Sequence, residues 1–305
     1  GTYGTVIGGS GDTGRYSAPT HSEGKLIVSG GTLVVDAYTA SVPSRSPAMG
    51  LLVGACPVYT NGSTWAGSTA TGTLEISGGE VTNVYGFTHI GIGAAKGRVV
   101  QTGGYFGTTY NKPATVGAYT GEGEWIVSNG VSEIRGPLYV GGATSNEINR
   151  SDTFYPEDVA GSKGRIEASG GTFLVWDLFV GLEAALGTGT VEIGPNGTLI
   201  CWREARFDNG TLVCKLSDAG SGSFEIGGDL VISDAVSLEI DANALSNQRA
   251  GASFTLLTYA GDRTGDFDPS NIHLKGFAEP ANWKVRWVDN CLVCRNPGGT
   301  AIFIR

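Results

Sequence analysis

The sequence predicts an all-β protein, a right-handed parallel β-helix (β-solenoid) with a non-repeating β cap at its C-terminal end. The first observation is a phrase of glycine, alternating apolar strand and Ser/Thr-Gly-Gly, which recurs about every 25 residues. The second is composition: 50 of 305 residues are glycine, one is methionine and only 16% are charged, so turns abound and helix formers are few. Repeats of this length are typical of stacked units, none of which buries its apolar face alone.

The recurring phrase defines the first strand of each turn of the coil. Its clearest copies begin at Gly24, Gly72 and Gly97, and looser copies begin at Gly123, Gly164, Gly189 and Gly222. Because side chains alternate along a strand, each copy should direct one pair inward. The predicted inward pairs are Leu26/Val28, Leu74/Ile76, Val99/Gln101, Trp125/Val127, Ile166/Ala168, Val191/Ile193 and Phe224/Ile226. These pairs should form one continuous core.

A second phrase, apolar-x-apolar-Gly, ends each turn, at Gly54, Gly91, Gly117, Gly141 and Gly181. With the strand after the Gly-Gly turn, it gives three short strands per repeat, as in a parallel β-helix. The outward positions of this last strand form a partly apolar stripe of Leu52, His89, Thr115, Tyr139 and Phe179. The stripe either contacts another copy or partner, or lies beneath inserted loops.

The Gly-Thr-Leu-x-Ile-Ser-Gly-Gly phrase at 72–79 and the Leu-x-Val-Gly phrases resemble autotransporter-type β-helix repeats of exported surface proteins of Gram-negative bacteria. Residues 253–258, followed by 264–267, are similar to the segment that closes many such repeat regions. The resemblance implies a scaffold at the cell surface, or outside the cell, of a Gram-negative-type bacterium. Such repeats are not tied to one activity.

The repeat phrase is lost from about residue 233, which predicts a repeat domain over 1–232 and a C-terminal β cap or assembly region over 233–305. Residues 5–8 resemble the last strand of a turn and have no partner strand beneath them. An open strand stack can recruit another molecule, which head to tail gives a filament; the alternative is that other residues cover this end. We therefore predict a homo-oligomer or head-to-tail polymer, with candidate contact residues Val6, Ile7, Tyr139, Phe179, Ile302 and Phe303.

Charge and residue spacing exclude several classes of function. The net charge of -9 argues against a nucleic-acid partner, and no apolar run is long enough for a membrane-spanning helix. Scattered histidines and a lone Cys-x-x-Cys predict no metal site, and no motif predicts a cofactor. Cys201 and Cys214 either form a disulfide or stack as small apolar residues.

Long insertions at 55–71 and 142–163 predict a saddle between loops at one corner, with room for a glycan. Its expected walls and floor contain aromatic, amide and charged side chains: Tyr59, Asn61, Trp65, Lys96, Tyr119, Glu122, Asn146, Arg150, Asp152 and Tyr155. Surface loops also have this composition by default, so both interpretations stay open.

An enzymatic alternative rests on Glu167, Glu192 and Glu225, which we expect on one outward column. Glycosidases use two carboxylates roughly 5 to 10 Å apart. The opposing interpretation is a solvated strand face, with Arg165 and Arg203 nearby.

The sequence therefore predicts an exported, non-enzymatic β-solenoid with a structural or adhesive role that assembles end to end. The alternative is a glycan-binding or polysaccharide-cleaving module, a lyase or hydrolase.

Overall fold

The computed structural model describes residues 5–9, 21–36, 49–55, 69–142, 161–182 and 187–297. Their strands join into one curled, solenoid-like β-sheet, and nearly all strand pairs are parallel. The helical content of the described residues is two 3₁₀ turns, Pro269–Asn271 and Pro280–Asn282. Neither is long and apolar enough to cross a membrane. The all-β prediction is confirmed.

The strands fall into three parallel ladders, in which each strand pairs with the equivalent strand of the next repeat. The first ladder begins with β2 and β5, in which Gly24 pairs with Gly72 and Leu26 with Leu74. It continues through the starts of the two longest strands, β8 and β10. Its members are β2 (His21–Val28), β5 (Thr69–Ile76), β8 (Ala95–Thr108), β10 (Glu122–Val140), β11 (Ser162–Ala168), β13 (Gly187–Ile193), β16 (Gly210–Ser217), β20 (Val236–Ala244) and β23 (Ile272–Lys275).

The second ladder follows the Gly-Gly turns. Its members are β3 (Thr32–Val35), β6 (Glu80–Asn83), the end of β8, the middle of β10, β12 (Thr172–Val180), β14 (Thr198–Cys201), β18 (Ser223–Ile226) and β21 (Ser253–Tyr259). The second glycine of the first three Gly-Gly turns, Gly31, Gly79 and Gly104, has positive φ, for example 72° at Gly79. A Cβ there would lie 2.4 Å from the carbonyl oxygen of Gly31, so stacked turns require glycine.

The third ladder ends each turn. Its members are β1 (Thr5–Gly9), β4 (Met49–Ala55), β7 (Phe87–Ile92), β9 (Ala114–Ala118), the ends of β10 and β12, β15 (Ala205–Phe207), β19 (Leu230–Ile232) and β22 (Arg263–Thr264).

All the predicted inward residues are buried except Leu26, which is partly buried, and the apolar ones share one core cluster. Aromatic rings fill its middle, where Trp125 packs edge-on against Phe106 and Phe173 at centroid distances of 4.7 and 5.0 Å. The placement of Phe224 on the first strand was wrong, because β18 pairs with β14 in the second ladder. The first-ladder strand at that level is β16, in which Leu212 pairs with Val191.

The parallel ladders continue past residue 232, because β20 pairs with β16 and β21 with β18. The domain boundary there stays a prediction. Antiparallel pairing joins β24 (Lys284–Val288) to β25 (Cys291–Arg295), and β25 in turn to β21. The short strand β17 (Gly220–Ser221) pairs antiparallel with β16.

The outward stripe of the third ladder forms as predicted, from Leu52 to Phe179 in register. Four of its members are buried and Phe179 is partly exposed. Residues at the ends of the third-ladder strands, or just after them, pack with it in a second apolar cluster: Ile92, Ala118, Tyr119 and Leu182. The ends of the third-ladder strands therefore account for most of the stripe's burial, whereas the long insertions lie mainly outside the described residues.

The described cysteines are free thiols. Cys201 and Cys214 both point into the core but belong to different ladders, so they do not form the disulfide that the sequence left open. Burial raises the pKa of each thiol to about 12, which keeps both protonated.

Candidate functional site

A groove of about 580 Å³ lies on the outer face of the first ladder, where its strands begin. Its volume falls within the range of about 300 to 1,000 Å³ that is usual for ligand sites. The strands β5, β8, β10, β11 and β13 each contribute to it. The groove therefore crosses five consecutive levels of the sheet.

Two rows of side chains form the rims, one on each side of the recurring glycine. Rim A is the row Thr71, Lys96, Glu122, Lys163 and Thr188, and rim B is the row Thr73, Arg98, Glu124, Arg165 and Thr190. Both rims have the same order: threonine, cation, glutamate, cation, threonine. The groove thus carries a band of two positive charges, then two negative, then two positive, with hydroxyl groups at both ends.

Glycine places the rims where they are. A Cβ on Gly97 would lie 2.1 Å from the carbonyl oxygen of Val53, and one on Gly123 would lie 2.3 Å from that of Ile90. The glycines that end the third-ladder strands lie equally close to the backbone of the first ladder. A Cβ on Gly117, where φ is 72°, would lie 2.0 Å from the carbonyl oxygen of Lys163. Only glycine allows the end of one strand to pass so close to the start of the next.

Rim A is held by exposed ion pairing. Lys96 Nζ lies 2.9 Å from Glu122 Oε2, and both side chains are largely open to solvent. The hydrogen bond from Lys96 and the charge of Lys163 lower the pKa of the Glu122 carboxyl. Lys163 forms no ion pair with any described residue. Such an exposed pair contributes about 0 to 1 kcal/mol, so a ligand can displace it.

Rim B is more firmly fixed. Arg98 Nε donates to Glu124 at 2.7 Å, and Arg165 donates to Glu124, Glu167 and Glu192 at 2.6, 2.5 and 2.7 Å. Burial opposes the charge of Arg165, but hydrogen bonds and attraction to Glu192 and Glu167 outweigh it and raise the arginine pKa. Arg165 therefore joins three levels of the sheet, and three of its five N–H donors are already used.

The carboxylate column beside rim B is shorter than the sequence predicted. Glu167 pairs in register with Glu192, as predicted, but the next position is Val213. Glu225 lies in the second ladder, so its assignment to this column was wrong. Arg203 is also absent from this face, because it contacts Asp177 at another corner.

Burial alone would raise the pKa of Glu192, but hydrogen bonds from Lys215 and Arg165 outweigh it and lower the pKa. A general acid at neutral pH needs the opposite shift. The described residues contain no group of three or more His, Cys, Asp or Glu side chains placed to hold a metal ion.

Two of the predicted saddle residues, Lys96 and Glu122, line the groove and bind each other. Tyr119 does not line it, because its side chain is 4% exposed and packs in the second apolar cluster. The other predicted saddle residues lie outside the described residues: Tyr59, Asn61, Trp65, Asn146, Arg150, Asp152 and Tyr155.

Sequence reasoning missed the rest of both rims, above all Lys163, Arg98 and the threonines. The signal is present in the triplets around the repeat glycine, Thr-Gly-Thr, Lys-Gly-Arg, Glu-Gly-Glu, Lys-Gly-Arg and Thr-Gly-Thr, centred on residues 72, 97, 123, 164 and 189. Within a single copy the repeat glycine only marks the start of a strand. The order of charges beside it becomes visible when the copies are aligned with one another.

The sequence matches no protein-family model, and no curated protein and no solved structure matches it. The groove is therefore interpreted from its own geometry and charge.

Proposed function

We propose that this protein is an exported, non-enzymatic β-solenoid with an adhesive role at the cell surface, or outside the cell, of a Gram-negative-type bacterium. In this proposal the curled sheet is a right-handed parallel β-helix, and the groove is its recognition surface. The observation that carries the proposal is the pair of matched rims, which present side chains in register over five levels of a rigid ladder.

The shape of the groove favours an extended ligand. From the level of Thr71 to that of Thr188 there are four strand spacings, which correspond to about 19 Å. The groove runs across the strands, along the direction in which repeats stack. A polymer such as a polysaccharide can lie along this direction and contact several levels at once.

The chemistry of the groove favours binding over turnover. Glu124, Glu167 and Glu192 each accept from Arg165, and Glu192 is also bound by Lys215. The lowered pKa of Glu192 keeps its carboxylate ionised at neutral pH, and an ionised carboxylate is a poor proton donor. In the runner-up, a glycan-cleaving enzyme, Glu192 would have to transfer a proton although Arg165 and Lys215 bind it.

A glycan array probed with the purified protein tests adhesion, and the chain length of each bound glycan after long incubation tests cleavage. We expect binding to at least one class of polysaccharide with no shortening. Progressive shortening that Glu192→Gln abolishes would establish the enzymatic alternative. Absence of binding to every glycan would refute the adhesive role.

End-to-end assembly is a second part of the proposal. Among the described residues, β1, β2 and β3 pair on one side only, with β4, β5 and β6. Ile27 and Val34 on this level are 57% and 56% exposed, the largest exposures among the large apolar side chains of the described residues. An unpaired edge with exposed apolar residues is a template for another strand.

Of the candidate contact residues, Val6 and Ile7 lie on β1, and Ile7 is buried in the main core. Tyr139 is buried and Phe179 partly buried in the stripe, while Ile302 and Phe303 lie outside the described residues.

We expect negative-stain images to show rods longer than one chain. The double variant Ile27→Lys, Val34→Lys should shorten them, whereas Trp202→Lys, which adds charge to an exposed position between β14 and β15 in the middle of the stack, should not. Single particles of one chain's length at all concentrations would refute this assembly.

A further inference from the structure

We propose that the groove selects an acidic polysaccharide in which anionic sugars alternate with uncharged ones. This inference rests on the adhesive function above and names its substrate class. It follows from the order of charges along the rims, in which the positive bands at Lys96/Arg98 and Lys163/Arg165 are separated by the negative band at Glu122/Glu124.

The two positive bands are two strand spacings apart, which corresponds to about 10 Å along the stacking direction. An anionic group over each band would be matched by a cation, and the sugar between them would lie over the glutamates. Carboxylates accept hydrogen bonds from hydroxyl groups, so the middle band suits an uncharged, hydroxyl-rich ring. The threonines at both ends can donate to or accept from further hydroxyls.

The residues that line the groove carry a net positive charge, which suits an acidic ligand, although the chain as a whole is negatively charged. Four cations and two glutamates line the groove, against a net charge of -9 for the chain. Lys163 has no ion-pair partner among the described residues, and Lys96 is held only by an exposed pair. These two lysines are the groups that a ligand anion can recruit at least cost.

Arg165 has a different role from the two lysines. Three carboxylates already use its guanidinium, so it fixes the rim and orients Glu124. We assign it as a positioning residue, and Lys96, Arg98 and Lys163 as the ligand contacts.

The negative band gives selectivity against uniformly charged polymers. A chain with an anion on every ring would place one over Glu122 and Glu124, where like charges repel each other. A neutral glycan would offer no anion to either lysine. The groove should therefore discriminate by charge spacing as well as by net charge.

The test measures calorimetric affinities of the full chain for three oligosaccharides of equal length at low ionic strength. One alternates uronate with an uncharged sugar, one carries a uronate at every ring, and one is neutral. We expect the alternating glycan to bind at least tenfold more tightly than either other probe, and its affinity to fall with added salt.

Three single substitutions test which side chains bind and select the alternating glycan. Lys163→Gln should weaken the alternating glycan about tenfold, in line with the loss of one charge-assisted hydrogen bond. Glu122→Gln should remove most of the preference against the uniformly charged probe, because it neutralises half of the negative band. Lys284→Gln, an exposed cap position on β24, is the matched control and should change nothing.

Equal affinity for the alternating and uniformly charged probes, or equal effects of Lys163→Gln and Lys284→Gln, would overturn the inference. Binding of the neutral probe alone would also overturn it while leaving the adhesive function intact. Absence of binding to any glycan on the array would refute the adhesive function itself, so the two failures are distinguishable. All of these variants are at exposed positions, and circular dichroism verifies that each retains its strand content.

Discussion

The buried histidine of the third ladder should make the protein sensitive to mild acid. His89 is 1% exposed, lies in the apolar stripe between Leu52 and Thr115, and its Nδ1 is 2.9 Å from the Thr115 hydroxyl. Burial lowers its pKa from 6.5 to about 4, so the folded protein keeps the ring neutral. The unfolded chain takes up a proton at higher pH than the folded one, and acid therefore favours unfolding.

The size of the effect follows from that difference in pKa. A pKa that falls from 6.5 to about 4 corresponds to about 3 kcal/mol of stability, which is fully present above pH 6.5 and is lost progressively as the pH falls to 4. Urea denaturation followed by tryptophan fluorescence at pH 7.5 and pH 4 measures the loss. His89→Asn removes the titration but retains a polar group near Thr115, so its loss between the two pH values should be smaller by about 3 kcal/mol.

The exposed His273 on β23 provides the control, because His273→Asn should keep the acid dependence of the wild type. An equal loss of stability for wild type and His89→Asn would refute the reasoning, since it would mean that the ring is not held neutral by burial.

Three further substitutions test the ladder itself. Glu192→Gln should lower the free energy of unfolding by about 2 kcal/mol at pH 7, because Arg165 and Lys215 lose a charged partner. The lowered pKa of Glu192 means that this stabilisation is present above the unfolded value of 4.5 and is lost as the pH falls through the folded value, so the deficit should shrink at pH 3. Gly117→Ala should cost about 3 kcal/mol or more in urea denaturation, from positive φ and the 2.0 Å approach to a carbonyl oxygen. Gly30→Ala, whose Cβ would meet nothing within 4 Å, should cost far less, and equal costs would contradict the close approach of the backbones. Thr120→Gly should raise the midpoint of thermal unfolding, with a gain of about 1 kcal/mol, because Thr120 is held at a φ of 75°; an unchanged or lower midpoint would contradict this account.

The fold class could be predicted from the sequence because the repeat glycines mark positions that no other residue type can occupy without strain. Gly79 and Gly117 need positive φ and lie against backbone atoms, so every complete copy repeats them. The alternating apolar residues between them then assign the inward face. The error at Phe224 arose where the copy is incomplete. The strand at Gly210 has the apolar alternation but lacks the Ser-Gly-Gly turn, and β17 follows it instead.

The groove was harder to predict from the sequence, because its pattern of charges appears only when the repeat copies are compared with one another. Neither Lys163 nor Glu122 belongs to a catalytic or metal-binding motif, and each looks like an ordinary surface residue in its own strand. Only the register, which places Lys96, Glu122 and Lys163 on successive levels, shows that they form a row. Arg165 likewise reaches carboxylates on its own strand and on both neighbours, a pattern that spacing along the chain does not reveal.

Lysine footprinting by mass spectrometry tests the adhesive groove most directly. The protein is labelled with an amine-reactive reagent, with and without the alternating acidic oligosaccharide at saturation. We predict that Lys96 and Lys163 lose most of their reactivity on binding, while Lys275 on β23 and Lys284 on β24 keep theirs. Unchanged reactivity at Lys96 and Lys163 despite bound glycan would contradict the assignment of the groove as the recognition surface.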